Sequence, residues 1–293
     1  MPLAFSPLIA YNLGMKKEKF RLGGGTALIT GASSGIGKEL ANILIKEYGM
    51  TVIAVARSME KLASVKDALH AENPLFGTRF LPLCADISLR QNWAEVKRFV
   101  ESRGEKLTLF VSNAGVLPPF SSEKERGITA PEVMEKTVQT NLFASVYGVE
   151  TLRPFMKKSG GVAIISSSSA LCTMPGIAAY ASSKTALKAY AETLVAERSF
   201  AYVGLMLPGF TKTDVMRNQN AASGGLIDKI STSADKMARK IVKAIAKRKR
   251  RKILGADSKA MYLLSRIFPR SAPQIIGWVL KKSGYALFDA VFK

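Results

Sequence analysis

The stretch TGASSGIG, residues 30–37, decides the fold, because it joins the apolar run TALIT at residues 26–30 to a helical pattern. Glycines at this spacing between a strand and a helix are typical of a turn that binds the pyrophosphate of a dinucleotide. Gly31 permits the tight turn, Gly35 lets the backbone approach a ligand, and Gly37 allows close contact between helix and strand. The alternative is a tight turn that binds nothing. The residues predicted to bind cofactor here are Gly31, Ser33, Ser34, Gly35, Ile36 and Gly37.

The alternation of strand and helix continues along the chain. Its strand-like runs are continuously apolar, which indicates burial on both faces of a sheet, and amphipathic segments between them supply crossover helices. We therefore expect an α/β fold: one Rossmann-like domain with a doubly wound parallel sheet of about seven strands. The strands are predicted at residues 26–30, 51–56, 79–84, 107–112, 162–166, 202–207 and 252–255. Helices are predicted at residues 36–48, 88–103, 131–157 and 180–199.

Composition limits the class of protein. The chain has 293 residues, 47% of them hydrophobic, which is enough for a large core. Its 43 basic and 22 acidic residues give a net charge of +21, which favours anionic partners such as phosphorylated cofactors, acidic lipid or nucleic acid. Cys84 and Cys172 are far apart in sequence and no Cys/His cluster exists, so neither a disulfide framework nor a metal site is predicted.

We divide the chain into three parts. Residues 1–22 are an amino-terminal arm, residues 23–256 the catalytic domain and residues 257–293 a basic amphipathic extension. The opening MPLAFSPLIAYNLG lacks a basic start and contains two prolines, which argues against a secretory signal. It is either a flexible arm, an artefact of an upstream start or a short segment that touches a membrane.

The residues that follow the next strands suggest which dinucleotide binds. After the second strand, Arg57 stands where an acidic residue would bind the ribose 2′-hydroxyl of NAD. A 2′-phosphate would instead be held by Arg57, with Ser33 or Lys38, which predicts NADP(H). Asp86 is placed to accept a hydrogen bond from the adenine amino group. The remaining predicted contacts after the third and fourth strands are Ile87, Asn113, Ala114 and Gly115.

The motif YASSK, residues 180–184, places a phenol and an ammonium one helical turn apart on one face. A cation near Tyr180 would stabilise the tyrosinate and lower the pKa of the phenol, so that Tyr180 could exchange a proton with a carbonyl or a hydroxyl. Ser167, at the end of the fifth strand, could hold the substrate oxygen. Asn141 either bends its helix or organises a water and Lys184.

These motifs, in this order, resemble those of the short-chain dehydrogenase/reductase family, over residues 23–255. The resemblance implies that Tyr180 is the general acid/base and that Lys184 also binds the nicotinamide ribose. It implies that Ser167 orients the substrate oxygen and that Asn141 supports a proton relay. From the motif PGFTKT it places Pro208, Gly209 and Thr213 near the nicotinamide.

The carboxyl-terminal part concentrates the positive charge, with 16 basic and two acidic residues in 236–293. Met237, Ile241 and Ile245 form the apolar face of a helix that should dock on the sheet and end in the six cations of residues 247–252. Residues 261–268 and 272–292 mix apolar and basic side chains, as do helices that lie in a bilayer interface. The alternatives are a subunit interface or a cap over the pocket.

Together these patterns predict an NADPH-dependent oxidoreductase that reduces a ketone or aldehyde on a hydrophobic substrate, which the resemblance extends to steroid, long-chain acyl or sphingoid-like compounds. We expect a cytoplasmic protein, free or at an anionic membrane surface, with no specific nucleic acid, and the family implies a homodimer or homotetramer. The alternatives are an NADP-dependent alcohol dehydrogenase on a soluble secondary alcohol and a nucleotide-binding scaffold without turnover. Residues 218–226 are expected to form a lid or a plain loop.

Overall fold

A computed structural model describes residues 19–118, 129–213 and 230–282. Within these ranges seven strands form one parallel sheet in the order β3-β2-β1-β4-β5-β6-β9, and β7 pairs with β8 beside it. The predicted doubly wound parallel sheet is therefore confirmed. The strands are β1 (Thr26–Thr30), β2 (Thr51–Ala56), β3 (Phe80–Cys84), β4 (Leu107–Ser112), β5 (Met156–Ile165), β6 (Tyr202–Pro208), β7 (Thr211–Lys212), β8 (Thr232–Ser233) and β9 (Arg251–Leu254).

The central strands are buried on both faces, as their continuous apolar runs predict. Every residue of β1 and β4 is buried. Successive side chains of a strand point to opposite faces, so Leu28 and Ile29 enter two separate apolar clusters, one on each side of the sheet. Layers of helices on both sides bury these clusters and fix the sheet in place.

The helices that cover the sheet follow the predicted alternation. The helix with Met237, Ile241 and Ile245 on its apolar face packs against the helix that follows the glycine-rich turn, and all three side chains are fully buried. The helices are α1 (Gly35–Lys46), α2 (Met59–Glu72), α3 (Pro74–Arg79), α4 (Trp93–Ser102), α5 (Pro131–Val138), α6 (Ala144–Leu152), α7 (Ala178–Ala196), α8 (Ala234–Ala246), α9 (Ala256–Ile267) and α10 (Ala272–Lys282).

One predicted helix is wrong in its extent. In place of a single helix over residues 131–157, α5 and α6 are separated by a π-helical turn at Gln139–Phe143. Pro154 lies in a 3-10 turn after α6, where its ring disfavours further α-helix, and β5 begins at Met156, six residues earlier than predicted. Asn141 lies within this π turn.

The last two helices of the described part, α9 and α10, pack near the carboxyl ends of the strands. Buried side chains of α9 and α10 form a third apolar cluster with the segment between β5 and α7. No helix in the described part of the chain is long and apolar enough to cross a membrane. Residues 1–18 of the predicted arm, the predicted loop at residues 218–226 and the end of the extension after residue 282 lie outside the described residues.

Candidate active site

A cleft of about 500 Å³ opens at the carboxyl ends of the strands. Ligands of open parallel sheets bind at this edge, where the strand order reverses. Here the reversal lies between β1 and β4, whose neighbours continue in opposite directions. The predicted residues that line the cleft are Gly31, Ser33, Ser34, Gly35, Ile36, Arg57, Asp86, Ile87, Asn113, Ala114, Gly115, Ser167, Tyr180, Lys184, Pro208, Gly209 and Thr213.

The turn after β1 has the shape that its glycines predict. Gly31 and Gly35 have φ values of +69° and +52°, a left-handed conformation that side chains disfavour. Gly37 does not line the cleft; a Cβ there would collide with the backbone oxygen of Gly31, so it serves the close helix–strand packing. The backbone of the turn is thereby free to face a ligand at the start of α1.

A network around Thr30 joins this turn to the loop after β4. The Thr30 hydroxyl accepts hydrogen bonds from the amides of Asn113 (3.1 Å) and Ala114 (3.2 Å). The side-chain amide of Asn113 donates to the Thr30 carbonyl at 3.0 Å. The sequence did not predict a role for Thr30 in the site, since a hydroxyl at a strand end can have many roles. Its contacts hold the two loops that form the middle of the cleft.

The end of the cleft beyond β2 is basic. Arg57 and Ser33 line it as predicted, whereas Lys38 does not; Ser58 and Lys61 line it instead. Lys61 lies in the first turn of α2, whose start is capped by the Ser58 hydroxyl. Lys61 follows Arg57 by four residues, and this spacing is the feature of the sequence that could have identified Lys61 as a residue of the cleft.

Asp86 lines the same cleft from the loop after β3, the strand that pairs with β2. It is half-buried, and its Oδ1 accepts hydrogen bonds from the amide and hydroxyl of Ser88 at 3.0 and 2.7 Å. These bonds fix the orientation of the carboxylate.

Lys184 is buried beside Tyr180. Its ammonium donates to the Ile165 carbonyl at 3.1 Å and lies 5.9 Å from the centroid of the Tyr180 ring. Burial lowers the pKa of Lys184 to about 8.

Burial also raises the pKa of the Tyr180 phenol, while a hydrogen bond to Ser167 acts in the opposite direction. The prediction of a lowered pKa for the Tyr180 phenol is therefore wrong. Desolvation of the phenol raises its pKa by more than the hydrogen bond to Ser167 lowers it.

Asn141 lies behind the cleft rather than on its wall. It is fully buried in the π turn, where its Oδ1 accepts from the Val116 amide at 2.7 Å and its Nδ2 donates to the Val116 carbonyl at 2.9 Å. The same Nδ2 donates to the Ser183 hydroxyl, which in turn donates to the carbonyl of Tyr180 at 2.7 Å. Asn141 therefore connects the bend between α5 and α6 to the loop after β4 and to the helix that carries Tyr180.

The family model described as short chain dehydrogenase matches residues 25–224, most of the part of the chain that builds this site. The chain belongs to the short-chain dehydrogenase family. A similar curated protein is a dehydrogenase/reductase SDR family protein 7-like of Drosophila melanogaster, 32% identical, with 99% of this chain and 90% of the fly protein covered. The 3-ketodihydrosphingosine reductase of Dictyostelium discoideum is 31% identical, with 65% of this chain and 60% of that protein covered.

Solved structures share the fold. A short chain dehydrogenase from Burkholderia cenocepacia, crystallised in complex with NADP, superposes with a TM-score of 0.68 at 22% identity, covering 86% of this chain and 96% of its own. One from Sphingobium yanoikuyae, in complex with NADPH, gives a TM-score of 0.66 at 22% identity, covering 78% and 87%. At these identities the likeness concerns the fold of this dehydrogenase and not its ligand.

The far end of the cleft in this short-chain dehydrogenase is apolar. Met174 and Ile177, from the segment between β5 and α7, line the cleft and pack in the third cluster with Met261 of α9 and Ile276 of α10. Cys172 is buried in the same cluster, and burial raises the pKa of its thiol, so it packs rather than reacts.

Asp257 links the start of α9 to the loop after β6. Its Oδ2 accepts the amide of Phe210 at 2.6 Å, directly after the predicted nicotinamide contacts Pro208 and Gly209. Its Oδ1 is buried without a partner among the described residues. Sequence reasoning missed Asp257 because only the folded chain brings it beside this loop.

Proposed function

We propose that this short-chain dehydrogenase is an NADPH-dependent reductase of a ketone or aldehyde on a hydrophobic substrate. The observation that carries the proposal is the position of Tyr180. Its phenol faces a cleft that also contains Ser167 and Lys184, and its ring packs in the apolar cluster with Leu117 and Phe210. A proton donor at the boundary between a polar and an apolar pocket suits a carbonyl on an apolar body.

The cleft fits a phosphorylated dinucleotide. The turn at Gly31 and Gly35 leaves room for a pyrophosphate at the start of α1, and Arg57 and Lys61 offer two cations to a 2′-phosphate. When bound, the dihydronicotinamide supplies the hydride. Two of the solved structures of like fold contain NADP or NADPH, which supports the choice of cofactor.

Three side chains would take part in reduction of the substrate carbonyl. The Ser167 hydroxyl would donate a hydrogen bond to the carbonyl oxygen and hold it near the phenol. Tyr180 would transfer its proton to that oxygen as negative charge develops there. Lys184 would stabilise the tyrosinate that remains, since its pKa of about 8 leaves it mostly charged at neutral pH.

Asn141 would act through position. Its bonds to Val116 and Ser183 hold the loop and the helix on either side of the reacting groups. In this view Asn141 orients the Tyr180 helix, and the proton relay that the family resemblance implies for Asn141 stays a prediction.

The environment of the Tyr180 phenol favours reduction over oxidation as the direction of the reaction. Burial raises the pKa of the Tyr180 phenol, which disfavours its ionisation to a base and suits it to act as an acid. An acid is what reduction of a carbonyl requires, whereas oxidation of an alcohol requires a base.

The apolar wall of the cleft and the names of similar proteins both support a hydrophobic substrate. The wall is made by Met174, Ile177 and the side chains of α9 and α10 behind them. The similar proteins include the Dictyostelium 3-ketodihydrosphingosine reductase and an 11-beta-hydroxysteroid dehydrogenase A of Sesamum indicum, 28% identical. A sphingoid-like, steroid or long-chain acyl ketone therefore belongs in the first substrate panel.

The outer faces of α9 and α10 support a place at a membrane surface. Leu263, Ile267 and Trp278 are each more than half exposed (59%, 58% and 58%). Arg266 and Lys282 lie on the same two helices, which gives the mixture of apolar and cationic side chains that binds anionic lipid interfaces. We place the protein in the cytoplasm, peripheral to a membrane, with residues 257–293 as the extension that contacts it.

The deciding experiment compares Tyr180→Phe with Tyr190→Phe, a partly buried tyrosine on the same helix that lies outside the cleft. We expect NADPH-dependent reduction of at least one hydrophobic ketone by the full chain. This activity should fall by about 10²–10⁴-fold in Tyr180→Phe and stay near wild type in Tyr190→Phe. Equal activity of the two variants would refute the role of Tyr180, and NADPH binding without any turnover would favour the scaffold.

The membrane contact is tested by flotation with vesicles that contain phosphatidylserine. Ile267→Ser combined with Trp278→Ser should reduce the bound fraction, whereas Leu75→Ser, at an exposed apolar position of α3 (55% exposed), should leave it unchanged. Equal binding of all three proteins would refute this location.

A further inference from the structure

The basic run at residues 247–252 turns a corner at the edge of the sheet opposite the active site. Lys247 caps the carboxyl end of α8, Arg248 follows in a left-handed conformation, and Arg251 begins β9. Strands of a parallel sheet all begin at one edge, so this run lies at the amino ends of β6 and β9. The cofactor cleft lies at the carboxyl ends.

A second cavity, of about 400 Å³, lies at this edge. Its lining contains four cations, Lys19, Arg198, Arg248 and Arg250, and among the described residues no carboxylate. None of the four forms an ion pair with a described residue. Positive charges that share a concave surface repel one another, and an anion in the cavity would relieve that repulsion.

Two of the three arginines of this cavity occupy positions that usually belong to glycine. Arg198 and Arg248 follow the ends of α7 and α8 with φ values of 53° and 52°. They are the non-glycine residues with positive φ in the described part of the chain. At such a position a side chain costs about 1 kcal/mol relative to glycine.

Two helices thus end with a disfavoured residue, and both of these residues line the same cavity. A cation also interacts favourably with the carboxyl end of a helix, which accounts for either arginine alone. That interaction does not account for the two meeting in one cavity with Lys19 and Arg250.

The interior of the cavity is apolar below its charged rim. Phe20 and Tyr202 stack with ring centroids 4.7 Å apart, and both are almost fully buried. The Tyr202 hydroxyl donates to the Lys249 carbonyl at 3.1 Å, which fixes the backbone between Arg248 and Arg250. The cations are thus carried on a rigid frame rather than on a free tail.

We propose that this cavity binds a phosphate ester or pyrophosphate group. Guanidinium groups match phosphate oxygens in geometry and charge, and arginines supply three of the four cations. The cavity has the size of a small-molecule site and is concave, which suits a compact anionic group rather than a nucleic-acid duplex. The group is carried either by a free metabolite or by a lipid headgroup.

The test uses glycine at the two left-handed positions. Arg198→Gly combined with Arg248→Gly removes two cations and relieves the backbone, so the thermal midpoint should stay equal or rise. We expect the full chain to bind inorganic pyrophosphate in a calorimetric titration, and the double variant to bind it at least about tenfold more weakly. Arg98→Gln combined with Arg103→Gln, at two exposed positions outside both cavities, also removes two positive charges and controls for the loss of net charge.

Arg57→Gln separates this cavity from the cofactor cleft. Pyrophosphate binding that survives in Arg57→Gln and is lost in the glycine variant supports the proposal. The reverse pattern, no saturable binding, or an equal loss in the Arg98→Gln, Arg103→Gln control would overturn it. Binding of a DNA oligonucleotide that pyrophosphate does not displace, but that the glycine substitutions abolish, would also overturn it in favour of nucleic acid.

One further experiment identifies the kind of molecule that carries the phosphate group. Vesicles containing phosphatidylinositol 4-phosphate are compared with vesicles containing phosphatidylserine at equal charge. Selective binding to the former, competed by pyrophosphate and lost in the glycine variant, assigns the group to a lipid headgroup. Pyrophosphate binding without such selectivity assigns it to a soluble ligand.

Discussion

Replacing Lys184 with methionine should stabilise the fold while it removes activity. Burial lowers the pKa of Lys184 from 10.5 to about 8, so the ammonium costs about 3 kcal/mol of folding free energy at pH 7. Methionine fills a similar volume without a charge. It leaves the Ile165 carbonyl, now 3.1 Å from the ammonium, without its donor, at a cost of about 1 kcal/mol. The net gain at pH 7 is therefore about 2 kcal/mol.

The gain should depend on pH in a defined direction. Between about pH 8 and the unfolded pKa of 10.5, the unfolded chain binds more protons at Lys184 than the folded chain does. The stability of the wild type therefore rises with pH in this window, and the penalty, complete below about pH 8, is lost above 10.5. At pH 9.5 the wild type has recovered about 2 kcal/mol, so it should match the variant.

The assay is urea unfolding of both proteins at pH 7 and pH 9.5. Lys188→Met serves as the matched control, because Lys188 lies one turn further along the same helix and pairs with Glu192 at the surface. That control should change stability by less than about 0.5 kcal/mol at either pH. A Lys184→Met protein less stable than the wild type at pH 7, or a difference that does not change with pH, would refute the reasoning.

Three further predictions concern the site. Gly37→Ala should lower the free energy of unfolding by about 2 kcal/mol, since its Cβ collides with the Gly31 carbonyl, and a thermal melt of the purified variant will show whether the midpoint falls. Asp257→Ala should reduce kcat about tenfold with a smaller change in KM, because the Phe210 amide loses its acceptor beside the reacting groups; an Asp257→Asn protein should recover part of the rate. The rate of carbonyl reduction should decline as pH rises through about 8, where Lys184 loses its charge, and a profile flat to pH 10 would contradict that role.

Much of the fold follows from local patterns in the sequence. Buried strands of a parallel sheet are continuously apolar, so β1, β2 and β4 could be predicted to within a residue. Parallel strands place the residues after them along one edge, which is why Asp86 and Ser167, far apart in the sequence, could be assigned to a common cleft from the strand pattern alone.

Features that arise from tertiary contacts could not be predicted in the same way. The start of β5 is set by pairing with β4 rather than by its own residues, several of which are charged or glycine. The raised pKa of Tyr180 depends on how deeply α7 is buried, which no spacing encodes. Arg198 and Arg248 adopt a left-handed conformation that a sequence with arginine there argues against.

Because α9 and α10 pack on the segment with Met174 and Ile177, the proposed substrate wall and the proposed catalytic groups lie on different parts of the chain. Of the proposed catalytic groups, Tyr180 and Lys184 lie on α7 and Ser167 follows β5, whereas much of the apolar support behind the far end of the cleft comes from residues 256–282. Such an arrangement is modular: exchange of α9 and α10 between relatives, with Asp257 retained, should transfer chain-length or ring preference and leave the rate of the chemical step intact. Divergence of substrate range within a lineage could then proceed through these two helices without risk to the catalytic core.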